Sequence, residues 1–331
     1  MSSNMIKIND IHGPGVAEKF NELTLIDLEN LLRYKHKFVD TDCPACLGVN
    51  IQKAFQHQGL GYCRCSDCET LYISPAPTEA MHLDYVINSS AMNYWRSNMP
   101  DDMVKRRQKL YLERVNFSID MLKKNFANFN TCLEVGAGRG EFANQLVKNT
   151  SLVDKIVILE PQTLNVKNDR IHLITGGFEE LRKLDILFDV AFAWEVIEHI
   201  LEPDNFLNTI HSTLKSGAPF IFSTPNEKSV ETRELKTEST NILFDHVRLY
   251  NPHSIEKLLN RNGFKIFYLS TPGKLDVERL LEMKKKSSNF FLSNPSLNFI
   301  LDQDEKVLED FQKSLQASLW SSHMRIVAIK V

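Results

Sequence analysis

From residue 131 onward, short apolar runs alternate with longer amphipathic stretches, the pattern of β-α-β units wound about a parallel sheet. The runs fall at residues 132–135, 155–159, 171–174, 188–194 and 220–223, which predicts five strands joined by crossover helices. Two further strand-like runs, at 264–269 and 324–329, are expected to pair antiparallel at the sheet edge. The Lys-, Ser-, Asn- and Asp-rich segment between them reads as an insertion at about 272–320, with one helical stretch near 307–319. Its Lys284-Lys285-Lys286 run reads as a solvated helix end.

Upstream, Phe20, Leu23, Leu25, Ile26, Leu28, Leu31 and Leu32 recur at helix-like spacing within 11–39, with Thr24 and Asp27 as candidate caps. Residues 78–128 are again amphipathic and helical, through Leu110, Val115, Ile119 and Leu122. The prolines of Ser74-Pro75-Ala76-Pro77-Thr78 mark a boundary, because their fixed φ stops a strand or helix. The pattern divides the chain into a helical arm (1–40), a cysteine-bearing segment (41–77), a helical cover (78–130) and a large α/β domain (131–331).

With 331 residues, 43% of them hydrophobic, the chain can bury a large core. A net charge of −3 provides no global positive field, so nucleic acid is not an expected partner. The sequence lacks an apolar run near the length of a membrane span, and Met1-Ser2-Ser3-Asn4 lacks signal-peptide character. The expected location is the cytoplasm, without membrane contact.

Five of the six cysteines lie between Cys43 and Cys68; Cys132 is expected to be a small core residue. Cys43-Pro44-Ala45-Cys46 and Cys65-Ser66-Asp67-Cys68 form two C-x-x-C knuckles. That spacing can set four thiolates tetrahedrally about Zn²⁺ in a closed, structural site. Cys63 is a spare.

The first strand of the α/β domain ends in Glu134-Val135 and runs into Gly136-Ala137-Gly138-Arg139-Gly140 before a helix, where bare backbone can approach a ligand. Glu160, at the end of the second strand, can accept hydrogen bonds from two ribose hydroxyls. The glycine spacing departs from the G-x-G-x-x-G dinucleotide fingerprint. An acid at Glu134 suits a ligand carrying an amino group and a sulfonium charge better than a pyrophosphate.

Residues 133–140, Trp194-Glu195-Val196-Ile197-Glu198-His199-Ile200 and Ser223-Thr224-Pro225-Asn226 resemble the class I methyltransferases related to ubiquinone-biosynthesis O-methyltransferases. Leu214-Lys215-Ser216-Gly217-Ala218 is similar to the family's L-K-P-G-G turn, departing from it at Ser216 and Ala218. The resemblance implies a doubly wound, seven-stranded, mostly parallel α/β sheet with its last two strands as a hairpin. It also implies S-adenosylmethionine held by Glu134, Gly136, Ala137, Gly138, Glu160 and Pro161, with Gly177 and Phe178 on the adenine side and Trp194 as the floor. In similar enzymes the E-x-x-E-H stretch is linked to a divalent cation, which implies a second metal at Glu195, Glu198 and His199. The helices that cover the cofactor in such enzymes here carry Tyr85, Tyr94, Trp95, Arg106 and Arg107, most of them expected to be packing or surface residues.

Methyl transfer from a sulfonium is an in-line displacement, so the protein positions the acceptor and supplies a base. His199, with Glu198 beside it, and His246 are the candidates. Asp245-His246 follows the polar stretch 227–241, which has the composition of a mobile loop, and the pair can alternatively cap a helix starting near Pro252. A zinc ribbon ahead of such a domain resembles bacterial methyltransferases associated with modified sugars and surface polysaccharides. The expected acceptor is therefore a hydroxyl of a nucleotide-activated sugar or polysaccharide precursor, and the sequence leaves the oligomeric state open. The alternatives are methylation of RNA or another macromolecule read by the ribbon, and a non-catalytic cofactor-binding scaffold. Against a nucleic-acid acceptor, the ribbon carries few basic residues and the fourth strand ends in Ala193-Trp194-Glu195 rather than an N-P-P-Y type motif.

Overall fold

The computed structural model describes residues 16–98, 101–127 and 129–331; the leader residues Met1 to Asn4 and the start of the predicted arm lie outside this set. The arm is one helix, α1 (Val16–Leu32). Thr24 and Asp27 sit inside α1 rather than capping it, because the apolar repeat and the helix begin a full two turns earlier. Asp27 caps a different helix: its carboxylate accepts from the backbone of Ser90 (3.1 Å) and Ala91 (2.8 Å).

The cysteine segment folds as an antiparallel meander of β1 (Ile51–His57), β2 (Leu60–Cys65) and β3 (Leu71–Ile73). Three helices follow, α2 (Glu79–Asn88), α3 (Ser90–Ser97) and the long α4 (Asp101–Asn125). Val115 and Leu122 on the inner face of α4 are buried against the large sheet.

The sheet opens with β4 (Thr131–Val135), α5 (Glu141–Asn149), β5 (Lys155–Glu160), β6 (Ile171–Thr175), β7 (Val190–Trp194), α6 (Pro203–Thr213) and β8 (Pro219–Pro225). These five strands pair parallel, as their apolar runs predict. The stretch expected to be a mobile loop instead holds α7 (Val230–Leu235). Its polar side chains bond one another: Glu231, fully buried, accepts from Ser239, Asn241 and Arg279.

A two-residue strand, β9 (Arg248–Leu249), leaves the large domain and joins the ribbon, pairing Leu71 with Leu249 and Tyr72 with Arg248. Next come α8 (Pro252–Arg261) and β10 (Phe264–Ser270). The insertion folds as α9 (Asp276–Lys286), α10 (Pro295–Ile300) and α11 (Glu305–Ala317), and β11 (His323–Lys330) closes the chain. Only α11 was legible beforehand. Within the lysine run, Lys284 is tied to Asp302 at 2.8 Å, whereas Lys285 and Lys286 are exposed.

Strand β11 is antiparallel to both its neighbours and lies between β8 and β10, giving the order β10-β11-β8-β7-β4-β5-β6. This is the seven-stranded, mostly parallel arrangement that the resemblance implied. The order reverses between β4 and β7, and a crevice at the carboxyl ends of the strands beside that switch is where open α/β sheets bind ligands. The ribbon is not an appendage: Cys43, Ala45, Cys65 and Cys68 belong to the same buried cluster as Phe220, Tyr250 and Ile255.

Candidate functional site

The turn after β4 is built for bare backbone. Gly136, Gly138 and Gly140 all have positive φ, at 69°, 59° and 75°. A Cβ on Gly136 would lie 2.6 Å from Val196 Cγ2, whereas one on Gly138 would meet nothing within 4 Å. The first glycine therefore permits close packing on the segment after β7, and the second keeps a concavity open. Glu160, at the end of β5, faces that opening and accepts from the Gly138 amide at 2.9 Å.

Glu134 is buried at the end of β4, and its Oε2 has no hydrogen-bond partner. Burial pushes its carboxyl well above the usual carboxylate range. Trp194 ends β7 close to it, ring centroid 5.1 Å from Phe142, with Nε1 unpartnered. The Arg114 guanidinium of α4 lies 5.2 Å above the Trp194 ring, a cation-π contact. Gly177 and Phe178 follow β6, and Phe178 packs edge-on to Phe206 at 6.0 Å. Pro161 directly follows Glu160. Tyr85 is buried, Tyr94 half-buried, and Arg107 bonds Tyr111 at 2.8 Å; the side chains of Trp95 and Arg106 lie outside the described residues.

The predicted grouping of Glu195 with Glu198 and His199 does not form. Glu195 adopts a left-handed φ of 56°, which turns its side chain toward β8 and β11. There it accepts from Ser223 Oγ (2.5 Å) and His323 Nδ1 (3.0 Å), with Arg114 at 3.5 Å. Burial alone would raise the Glu195 pKa, but the His323 and Arg114 charges outweigh it and hold the carboxyl well below the usual range. Burial likewise disfavours charge on His323, and Glu195 more than reverses this, raising its pKa.

His246 takes the place expected for Glu195. Ligating atoms of Glu198, His199 and His246 lie within 4.8 Å of one another. His199 donates from Nδ1 to the Asp245 carbonyl (2.8 Å) and His246 from Nδ1 to the Asn241 carbonyl (3.0 Å). A carbonyl can only accept, so both rings carry hydrogen on Nδ1, which leaves Nε2 as the ring nitrogen free for other chemistry. Their centroids are 4.9 Å apart. Glu198 is fully buried; Thr224 donates to its Oε2 at 3.0 Å, and Oε1 is unpartnered. Burial, then the nearby Glu195 charge, push its carboxyl well above the ordinary value. His246 is driven down to about 4 by burial and stays neutral at neutral pH. Asp245 and His246 do not cap α8, because Asn251 does so through a capping box with Ser254. His82 on α2, buried with Nε2 unpartnered, lies against this group and was not visible in the sequence pattern. Nor was His323, whose partner Glu195 is 128 residues away.

In the ribbon, Cys43 Sγ lies 3.4 Å from Cys68 Sγ and Cys46 Sγ 3.6 Å from Cys65 Sγ; all four lie within 4.8 Å of one another, and none is in a disulfide. Zn–S bonds of about 2.3 Å in a tetrahedron imply sulfur separations of about 3.8 Å, so the four thiols fit one zinc ion. The Cys68 thiol, bonded to Cys43, pulls the Cys43 pKa down to about 5. Cys63 stands apart, its Sγ 3.8 Å from the Ser74 carbonyl, as befits a spare. Cys132 is fully buried.

A family model for the methyltransferase domain matches residues 103–269. Among curated proteins, the ubiquinone biosynthesis O-methyltransferase of Rickettsia prowazekii (strain Madrid E) is 27% identical over 142 residues, 40% of this chain and 55% of that protein. A Mycolicibacterium smegmatis protein named "probable S-adenosylmethionine-dependent methyltransferase" is 26% identical over 136 residues, 40% of this chain and 51% of that protein. The chain thus spans about half the length of the curated relatives it matches. Among solved structures, the plantazolicin methyltransferase BpumL aligns with 76% of this chain and 94% of its own, at 14% identity and a TM-score of 0.48. A mycolic acid cyclopropane synthase aligns with 71% of this chain and 87% of its own, at 17% identity and a TM-score of 0.42. No described helix is long and apolar enough to cross a membrane.

Proposed function

This chain belongs to the methyltransferase-domain family, and from that footing we propose that it transfers a methyl group from S-adenosylmethionine to a hydroxyl of a small, sugar-type acceptor. The acceptor class we favour is a nucleotide-activated sugar or polysaccharide precursor. The observation that carries the reading is the contact of Gly136 with Val196: it joins the open glycine turn to the segment bearing Glu198 and His199 at one end of the sheet.

The residues present fit the cofactor. Gly136, Ala137 and Gly138 offer bare backbone, and Glu160 stands ready for the ribose hydroxyls, with Pro161 ending its strand. The unpartnered, buried Glu134 oxygen suits a ligand ammonium, and Trp194 forms the floor. Gly177 and Phe178 are assigned to the adenine side. The bound cofactor supplies an activated methyl on a sulfonium. The part of this chain would be to hold the acceptor oxygen in line with that methyl and to take the proton it releases on a ring nitrogen. His199 Nε2 is the proposed acceptor of that proton, because its ring is fixed by Asp245 and partly open to solvent. His246 Nε2 is the second candidate, and Glu198 completes the group.

As the alternative to a histidine base, Glu198, His199 and His246 would hold a divalent cation, in place of the set that includes Glu195; their Nε2 lone pairs would then be committed to the ion, which would itself acidify the acceptor hydroxyl. Two imidazoles with anchored Nδ1 atoms and one free buried carboxylate oxygen are a donor set of the right chemistry. Zinc in the ribbon is proposed to be structural, since four thiolates leave no open position.

The deciding experiment offers the purified protein labelled S-adenosylmethionine with a panel of nucleotide-activated sugars and with bulk RNA. Sugar turnover that falls at least a hundredfold in His199→Ala is expected. RNA turnover without sugar turnover would overturn the acceptor class, and cofactor binding without turnover on any acceptor would favour a scaffold.

A further inference from the structure

Among the described residues Arg248 is the largest fully buried side chain, 1% exposed, and no carboxylate pairs with it there. It donates to the carbonyls of Ile73 (3.1 Å), Val247 (3.1 Å) and Leu201 (3.4 Å), and its guanidinium lies 5.7 Å from the centre of the Tyr72 ring. Carbonyls and a ring face solvate a cation but do not neutralise it, and an unpaired buried charge is costly. Arg248 and Cys43 line one cleft, and the Cys43 thiolate is among the few groups that favour the arginine's charge. Four thiolates about one divalent ion would carry two negative charges in excess and would supply the missing counter-charge.

Arg248 also occupies a telling position in the chain. It opens β9, the strand by which the large domain completes the ribbon sheet, and it lies two residues after His246. The ribbon grips that same segment at other points: the Ile73 amide donates to the Val247 carbonyl at 3.1 Å, and the Tyr62 hydroxyl to the Leu243 carbonyl at 3.3 Å. Ile242, Phe244 and Val247 are buried in one cluster with Leu60, Tyr62, Leu71 and Ile73 of the ribbon. Asp245 and His246 are therefore half-buried residues of a turn whose neighbours Ile242, Phe244 and Val247 are ribbon core.

We propose that the cysteine ribbon is a positioning element of the reaction site. Its metal-loaded tetrathiolate, balanced by Arg248, holds the Asp245-His246 turn against His199. The catalytic meaning of that turn rests on the function proposed above, but the coupling itself does not.

The test follows amide hydrogen exchange in the full chain, zinc-loaded and after removal of the metal by a chelator. Exchange across residues 242–249 should rise at least tenfold on zinc removal, while β4 and β5 stay protected, and Zn²⁺ alone should restore it. Unchanged exchange in 242–249 overturns the proposal. An equal rise in β4 and β5 also overturns it, since zinc would then support the whole fold rather than this turn. Zinc affinity, read by competition with a chromophoric chelator, should fall roughly 10–100-fold in Arg248→Met and less in Arg248→Lys, which keeps the charge. Zinc affinity of Arg248→Met equal to that of the parent, or a loss in Arg248→Lys as large as in Arg248→Met, overturns the role assigned to the Arg248 charge. Because no turnover is read, failure of the sugar screen leaves this result standing.

Discussion

Gly136 and Gly138 share a left-handed backbone but not a neighbourhood, and that difference separates folding from binding. Alanine at either position costs about 1–2 kcal/mol in backbone strain. At Gly136 it also drives a methyl to 2.6 Å from Val196, so Gly136→Ala is expected to lower the thermal midpoint clearly more than Gly138→Ala. At Gly138 the methyl enters open space that we assign to the cofactor, and calorimetry with S-adenosylhomocysteine should show the larger binding loss there. Equal binding losses would mean that the turn is not the cradle. Glu134 offers the companion test. Burial favours its neutral form in the unliganded protein, so Glu134→Gln is close to isosteric and should leave the melting temperature nearly unchanged. The same change removes a charge-assisted acceptor for the ligand ammonium and should weaken S-adenosylmethionine roughly tenfold.

At the scale of elements, one side chain of α1 caps the start of α3, beside the apolar packing of Leu28, Leu31 and Leu32 with Met92. Asp27 satisfies the amides of Ser90 and Ala91, and Ser89 Oγ accepts from the next, Met92, at 3.2 Å. Because Ala91 is fully buried, water cannot replace the lost acceptor in Asp27→Ala. A loss of about 1–2 kcal/mol in chemical denaturation is expected, with Asp27→Asn closer to the parent. The sequence marked Asp27 as a cap but not of which helix, since a cap signal is local and its target here lies 63 residues away. The same limit explains the rest. The five parallel strands were legible because strands buried on both faces read as apolar runs. Two residues of β9 are too short to carry a period, so the bond between ribbon and large domain was invisible. Residues 227–241 were polar enough to read as a loop because composition does not reveal that Glu231, Ser239 and Asn241 satisfy one another. In the candidate site, the glycines, Glu134, Glu160 and the four cysteines stand at fixed short spacings and were readable. The exchange of Glu195 for His246 depended on the left-handed turn at Glu195, which no spacing encodes.

Across the whole molecule, two histidines, one beside Asp245 and one beside Glu195, should respond to pH with opposite signs. His82 is held at about 4, chiefly by burial, against a free value of 6.5. Between those values the unfolded chain binds a proton there that the folded chain does not, so this position weakens the fold as pH falls. His82→Gln removes the titration, and its stability relative to the parent should therefore improve on going from pH 6.5 to 4, by up to about 1.4 kcal/mol per pH unit. His323 is the reverse case. Burial disfavours its charge, but Glu195 raises its folded pKa above the free value. Its contribution is complete below pH 6.5 and is lost as pH rises through the raised value. The deficit of His323→Gln should accordingly be largest in mild acid and shrink toward alkaline pH. Denaturation of the parent and the two variants across this range measures both differences; carboxyls remote from the two histidines cancel, whereas Glu195 and Asp245 titrate together with their partner histidines and belong to the differences measured. Parallel pH profiles for the two variants would show that the charges around Glu195 and around Asp245 are not arranged as described.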